Sequence, residues 1–139
     1  PLVMKEAGIH IYFDSIAVQP GKPTTFGTKE NKAVFGLPGN PVSSFVQFEL
    51  LVKPYIYGSM GHHFNPALLK LPLAADYTRR NNQRKAFIPV EITNGGSVLP
   101  ADYHGSAHIH ALTKAQGLIS IPIGVDRLKK GDYIDVRLL

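Results

Sequence analysis

The residues best suited to chemistry lie where a predicted strand runs into a helix, in the segment GLPGNPVSS at residues 36–44. Asn40 suits the N-cap of that helix, and Pro41 suits its first turn, where a missing N–H costs nothing. Such a helix start offers unpaired N–H groups and the positive end of a dipole, which together hold anions such as phosphate. Ser43 adds a hydroxyl donor. A capped junction of this kind is nonetheless more often structural, and this one lacks the P-loop and dinucleotide fingerprints.

A second candidate is the turn QPGKP at residues 19–23. Prolines flank Gly21 and Lys22, so the backbone is restricted and one lysine is held in a fixed direction. Little ordering entropy would then be lost when that lysine binds an anion. Taken alone, the segment fits a solvated surface turn better than an anion site.

The elements that must position these residues form an α/β arrangement in the first half of the chain. Alternating apolar residues predict a strand over residues 9–18, and runs at residues 24–26 and 33–37 predict a hairpin. After Asn40, apolar residues at helical spacing predict a helix that is buried over much of its surface. Pro54 is expected to kink that helix or to end its regular part.

The second half of the chain has the composition expected of a small, mostly β domain. A short helix is predicted at residues 107–114, capped by Ser106. Between turn residues, β-prone runs predict strands at residues 71–75, 86–92, 98–100, 118–121 and 133–138. This change in sequence pattern predicts two domains, residues 1–68 and residues 69–139.

Composition excludes several classes of protein. The chain has 139 residues, 44% of them hydrophobic and 18% charged, which is enough apolar surface for a packed core. No apolar run approaches the ~20 residues of a spanning helix, so no membrane association is expected. The absence of Cys excludes disulfides, thiolate metal sites and cysteine nucleophiles. The chain begins at Pro1 without an initiator Met, so we expect a piece of a longer or processed protein.

The basic charge predicts a small anionic ligand rather than nucleic acid. The net charge is +5, but the basic residues are scattered and only Arg79, Arg80, Arg84 and Lys85 form a dense group. No zinc finger, aromatic–basic RNA motif or basic helix face accompanies them, so nucleic acid is not expected as a partner.

Other polar residues fit structural roles. The histidine pairs, His62 with His63 and His108 with His110, lack a carboxylate at ligand spacing, so no metal site is expected in this chain. Asp102 and Asp126 are typical of turns and caps. Glu49 lies on the buried helix, where a carboxylate is rarely left unpaired.

Two segments taken together, FDSIAVQPGKP at residues 13–23 and FGLPGNPVSS at residues 35–44, resemble the molybdopterin molybdenumtransferases of the MoeA/gephyrin family. RKAF at residues 84–87 and LKKGD at residues 128–132 are similar to that family as well. The resemblance covers essentially the whole chain. It implies an α/β remnant, the end of a three-layer MoaB/MogA-like domain, followed by a small, mostly β, barrel-like C-terminal domain.

The resemblance implies a cytoplasmic enzyme of molybdenum cofactor biosynthesis. Such a transferase inserts molybdate into adenylated molybdopterin and releases AMP with the help of Mg²⁺. It implies a homodimer of the full-length protein, with a cleft between the α/β domain and the partner's C-terminal β domain. The Mg²⁺ ligands and a Gly/Ser-rich phosphate loop are expected outside this chain, so the isolated chain is expected to be inactive.

The resemblance also implies a set of substrate-binding residues: Lys22, Pro38, Gly39, Asn40, Pro41, Ser43, Arg84 and Ser106. Lys22 is expected to contact the pterin phosphate or molybdate. Gln19 departs from the family, because many relatives carry a lysine there, and His104 is the residue that could compensate. No catalytic residue is assigned.

Two other functions stay open. The same fold could serve as a non-catalytic scaffold that docks a peptide in an apolar groove, but the polar set that includes Lys22, Asn40 and Arg84 favours the enzyme. A basic oligonucleotide-binding β domain would lose affinity steeply as salt rises.

Overall fold

A computed structural model describes residues 2–101 and 112–139. The chain forms two compact units, Pro1–His63 and Phe64–Leu139. This division comes slightly earlier in the chain than the boundary between residues 68 and 69 that the change in sequence pattern predicts. In the described part of the chain, no helix is long and apolar enough to cross a membrane.

The first unit combines a three-stranded antiparallel sheet with helices. Its elements are α1 (Leu2–Glu6), β1 (His10–Phe13), β2 (Val18–Gln19), β3 (Thr25–Lys29), β4 (Lys32–Gly36), α2 (Pro41–Gln47), a π-helical turn (Phe48–Val52) and α3 (Lys53–Ser59). Strand β3 lies in the middle of the sheet, between β1 and β4. Aromatic rings join this sheet to α3, since Phe35 lies 5.0 Å from Phe26 and 5.4 Å from Tyr55 between ring centroids.

The single strand predicted over residues 9–18 is wrong, because β1 ends at Phe13 and β2 begins at Val18. The Ile16 N–H donates to the carbonyl of Lys22 at 3.0 Å, so the intervening residues bend toward a loop instead of extending the sheet. The predicted hairpin is confirmed. Strands β3 and β4 pair down to Lys29 opposite Lys32, which leaves a shorter turn than the sequence indicates.

The helix begins where its cap predicts and continues past Pro54. The Asn40 side chain accepts the Ser43 N–H at 3.2 Å, and Pro41 is the first helical residue. Upstream of Pro54 the helix widens into the π-helical turn, in which the Lys53 N–H donates to the carbonyl of Phe48. Because a proline ring collides with the carbonyl four residues before it, a wider turn lets the chain continue through α3.

The second unit is built from antiparallel strands. They are β5 (Leu68–Pro72), β6 (Tyr77–Thr78), β7 (Lys85–Ile92), β8 (Val98–Pro100), β9 (Gly117–Ile121), β10 (Arg127–Leu128) and β11 (Tyr133–Leu138). Within this unit the sheet runs β8, β7, β9, β11, β5, and β6 pairs separately with β10. Its buried core is apolar and comprises Leu73, Ala86, Ile88, Val90, Val98, Ile119, Ile121 and Val136.

Most of the strands predicted for this unit are confirmed to within a residue. The exception is β5, which occupies Leu68–Pro72 and not residues 71–75, because it pairs along β11 from Arg137 to Tyr133. The short strands β6 and β10 were not predicted. A barrel-like closure is not confirmed, since the described strands of this unit form an open sheet. The predicted helix at residues 107–114 lies mostly outside the described residues.

A buried arginine ties together the loops of this unit. Arg79 is only 9% exposed, and its Nε, Nη1 and Nη2 donate to the carbonyls of Val125 (2.6 Å), Arg84 (2.8 Å) and Pro122 (2.6 Å). The guanidinium fork therefore holds the chain before β7 against the turn that follows β9.

The turn before β11 is fastened to the loop that follows β5 by Asp76. Its carboxylate accepts the Lys130 N–H at 2.8 Å and pairs with the Arg127 guanidinium at 2.6 Å. The backbone hydrogen bond from Lys130, and then the bond from Arg127, hold the pKa of Asp76 below its ordinary value.

Candidate functional site

The lysine turn, defined here as residues 20–24, has a backbone fixed by hydrogen bonds. The carbonyl of Lys22 accepts the N–H groups of Ile16 (3.0 Å) and Thr24 (2.9 Å). The hydroxyl of Thr24, which is fully buried, donates to the carbonyl of Gly21 at 2.7 Å. Gly21 is buried while Lys22 is exposed, so the turn presents the lysine on a backbone that is already ordered.

Helix α2 contacts the lysine turn through its last residue. Gln47 is fully buried, and its Nε2 donates to the carbonyl of Pro20 at 2.7 Å. Gly21 has φ +108°, and a Cβ there would lie 2.4 Å from the same Nε2. The turn is thus packed directly on the Gln47 side chain, at a distance that requires glycine.

The turn before α2 is held together by the two serines of the GLPGNPVSS segment. Ser43 gives its N–H to the Asn40 side chain, and its hydroxyl lies 3.4 Å from the same oxygen. The Ser44 hydroxyl donates to the carbonyl of Pro38. Ser43 is 9% exposed, so its hydroxyl faces the cap and not open solvent. Its role as a direct anion donor stays a prediction, whereas its role in the cap is observed.

Gly39 leaves an open space beside the backbone of this turn. No heavy atom among the described residues lies within 4 Å of a Cβ built there, and its φ is not in the left-handed region. Neither packing nor conformation demands glycine at this position. The backbone next to Asn40 is therefore open to solvent at Gly39.

The lysine turn and the capped turn meet on one helix. Ser43 and Gln47 are four residues apart in α2, so they lie on the same face, separated by about 6 Å of helical rise. Ser43 belongs to the cap and Gln47 contacts the lysine turn. The first unit thus brings Lys22 and the residues around Asn40 to the two ends of the same short helix.

The remaining predicted site residues lie elsewhere in the chain. Arg84 belongs to the second unit, where its carbonyl accepts from Arg79. Ser106 and His104 lie outside the described residues, as do His108, His110 and Asp102. Gln19 is half-buried, and its Oε1 has no hydrogen-bond partner among the described residues.

The other polar residues singled out by sequence have structural partners or exposed positions. Glu49 is buried and paired as predicted, with both carboxylate oxygens 3.1 Å from the Nζ of Lys53. His62 and His63 are exposed. Within residues 2–101 and 112–139, no three His, Asp or Glu side chains gather where they could hold a metal ion.

Sequence reasoning missed Gln47 as a functional candidate. A signal was present, because a polar residue four positions after Ser43 and next to Val46 falls on the face predicted to be apolar. A long amide at such a position requires a buried hydrogen-bond partner, which the sequence does not name.

Two family models match the chain. Residues 70–139 match the MoeA C-terminal region (domain IV), and residues 1–58 match the probable molybdopterin binding domain. The chain belongs to the MoeA family. The resemblance carried by the paired motifs PGKP and LPGNPVSS is thereby confirmed.

MoeA relatives share about a third of their length with this chain. A molybdopterin molybdenumtransferase from Staphylococcus aureus (strain Mu50) is 31% identical over 142 residues, covering 99% of the chain and 34% of the relative. One from Staphylococcus epidermidis is 32% identical over 141 residues, with the same coverage. The crystal structure of a molybdopterin biosynthesis MoeA protein from Pyrococcus horikosii superposes with a TM-score of 0.85 at 31% identity, covering 99% of this chain and 34% of that one.

Proposed function

We propose that this chain forms the C-terminal part of a molybdopterin molybdenumtransferase, which inserts molybdate into adenylated molybdopterin and releases AMP. The observation that carries the proposal is the exposed Lys22, held on a backbone fixed by Ile16 and Thr24 and seated on α2. The names of the relatives in Staphylococcus support the same reaction.

In this proposal the chain binds and orients an anionic substrate. Lys22 supplies a cation on a backbone that is already ordered, so only the rotamers of its side chain remain to be fixed when it contacts a phosphate or molybdate oxygen. The space beside Gly39 admits the ligand to the backbone, and the Asn40 cap holds the start of α2, whose dipole favours negative charge. Pro38 and Pro41 shape this turn. Arg84 and Ser106 belong to the C-terminal β domain, which the resemblance places against the α/β domain of the partner in the complete dimer, and we propose that they contact a substrate there.

The Mg²⁺ ion of the proposed reaction has no fitting site in the described part of the chain. Residues 2–101 and 112–139 do not bring together the carboxylates that this ion prefers. Following the resemblance, we propose that its ligands come from outside this chain and that the chain binds and orients the substrate.

The proposal includes a cytoplasmic location and a homodimer of the complete enzyme, both supported by the resemblance to the MoeA/gephyrin family. Size-exclusion chromatography with light scattering on the complete enzyme tests the assembly. A dimer mass is expected, and a monomer would contradict this part of the proposal.

Replacing Lys22 by alanine in the complete enzyme is expected to weaken binding of adenylated molybdopterin by about 10- to 100-fold, because one fixed cation is lost. The thermal midpoint should hold, since both prolines of the turn remain.

Asn40→Ala should instead lower the stability of the enzyme by about 1 kcal/mol through loss of the cap, and it should also weaken binding of adenylated molybdopterin. Calorimetric titration and thermal melts measure both effects.

Lys32→Ala is the matched control for Lys22→Ala. Lys32 is also an exposed lysine of the first unit, but it lies at the β3–β4 hairpin. The substitution Lys32→Ala removes the same charge as Lys22→Ala, and it should change the affinity for adenylated molybdopterin less than twofold. If Lys22→Ala binds adenylated molybdopterin as Lys32→Ala does, Lys22 is a solvated turn residue and the proposed site is wrong.

The 139-residue chain alone is expected to show no molybdate insertion, because its described residues gather no carboxylates for the metal. Purified chain is incubated with adenylated molybdopterin, molybdate and Mg²⁺, and AMP release is followed by chromatography. AMP release above that of a heat-denatured sample would contradict this expectation.

A further inference from the structure

We propose that Gln47 is a positioning residue for Lys22. Its side-chain amide fastens the lysine turn to α2 and so sets where the lysine ammonium meets an anionic substrate. This inference rests on the proposed function, since it takes Lys22 to be a substrate contact.

The burial and bonding of Gln47 point to a geometric role. The side chain is fully buried on a helix face that also buries Val42 and Val46. Nε2 has a partner in the carbonyl of Pro20, whereas Oε1 is buried with no hydrogen-bond partner among the described residues. A buried carbonyl oxygen without a partner costs stability. An apolar residue at this position would avoid that cost. The glutamine is explained by the bond from its Nε2, which attaches the lysine turn to α2.

The contact extends along the whole amide arm. A Cβ at Gly21 would lie 2.4 Å from Nε2, 2.6 Å from Cγ and 2.8 Å from Cδ of Gln47. Only a backbone without a side chain approaches this closely, so the turn rests on the glutamine across several atoms. The position of the Gln47 side chain therefore limits how closely the residue directly before Lys22 can approach α2.

Two sets of hydrogen bonds act on the lysine turn from different directions. Ile16 and Thr24 bind the carbonyl of Lys22 within the loop itself. Gln47 binds the carbonyl of Pro20 and belongs to α2, the helix that Asn40 caps. The first set fixes the shape of the turn, and the glutamine fixes its distance from the start of the helix. Both the shape of the turn and this distance matter if a single ligand touches Lys22 and the turn beside Asn40.

Gln47→Met is the variant that tests the role, because methionine is similar in length and unbranched but cannot donate to the Pro20 carbonyl. In the complete enzyme we expect adenylated molybdopterin to bind about tenfold more weakly. Val46→Ala is the control. It removes volume from the neighbouring fully buried residue of α2 and leaves the Gln47 amide in place. We expect it to change the affinity less than twofold even where it lowers the melting temperature more.

A double-mutant cycle separates positioning from general structural damage. In the Lys22→Ala background, Gln47→Met should weaken binding less than twofold further, because the lysine on which it acts is gone. An equal loss in both backgrounds, or no loss when Lys22→Ala itself weakens binding, would overturn the inference. If Lys22→Ala alone has no effect, the proposed function fails, and that result is read independently of Gln47.

Hydrogen exchange provides a second readout that needs no substrate. Gln47→Met should speed exchange at the amide of Thr24 by tenfold or more while leaving β3 and β4 protected, and Gln47→Asn, which shortens the arm, should do the same. Unchanged exchange at Thr24 in either folded variant would overturn the attachment of the turn by Gln47.

Discussion

Replacing Arg79 by alanine is expected to lower the free energy of unfolding by about 3 kcal/mol. Its three nitrogens donate to the carbonyls of Val125, Arg84 and Pro122 at 2.6–2.8 Å. Hydrogen bonds from a charged donor are stronger than neutral ones, and each carbonyl left behind in a partly buried loop loses its partner. Arg79→Lys should restore only part of the loss, since one ammonium cannot reproduce the planar fork.

Arg80→Ala is the matched control, because it removes the same charge from an exposed neighbour. It should change stability by less than about 0.5 kcal/mol. Urea denaturation of the 139-residue chain, followed by circular dichroism, measures both variants. Equal midpoints for Arg79→Ala and Arg80→Ala would mean that the buried guanidinium does not hold these loops.

Gly21→Ala is expected to cost about 3 kcal/mol, from two sources that can be separated. An alanine at φ +108° is strained by about 1–2 kcal/mol. Its Cβ would also lie 2.4 Å from Nε2 of Gln47, so the glutamine must move and its bond to Pro20 breaks. That second part accounts for roughly another 1–2 kcal/mol.

The second source disappears when the glutamine is shortened. In a Gln47→Ala background, Gly21→Ala should cost about half as much, because only the backbone strain remains. Gly39→Ala is the control, with no heavy atom of the described residues within 4 Å of its Cβ, and should stay within about 0.5 kcal/mol of the parent. Thermal melts of the variants test this. An equal cost of Gly21→Ala in both backgrounds would show that the contact with Gln47 carries no energy.

Local signals in the sequence predicted much of the fold. The helix start follows from Asn40 and Pro41, whose preferences act within a single turn. Strands β7, β8, β9 and β11 follow from β-prone runs bounded by turn residues, and their observed bounds differ from the predicted ones by at most a residue. Each of these signals depends on neighbours in the chain, so the sequence contains the information needed to read it.

Elements whose limits depend on distant partners were predicted less well. The first strand stops at Phe13 because Ile16 bonds to Lys22 instead of to a neighbouring strand. Strand β5 starts at Leu68 because β11 is there to pair with it, although Leu68 and Leu69 are exposed. The π-helical turn before Pro54 relieves the clash between the proline ring and the carbonyl four residues before it. The sequence predicts that clash, but it does not say whether the helix ends there or widens.

By itself, the sequence determined the family, through the pairing of PGKP with LPGNPVSS, and the capped start of the helix that follows Asn40. Only the tertiary structure decided that Gln47 supports the lysine turn and that Arg79 holds the chain before β7 against the turn that follows β9. The Gln47 bond spans 27 residues, and the Arg79 bonds to Val125 and Pro122 span 46 and 43. A polar side chain can reach many carbonyls at such separations, and which one it meets is set by how the backbone folds around it.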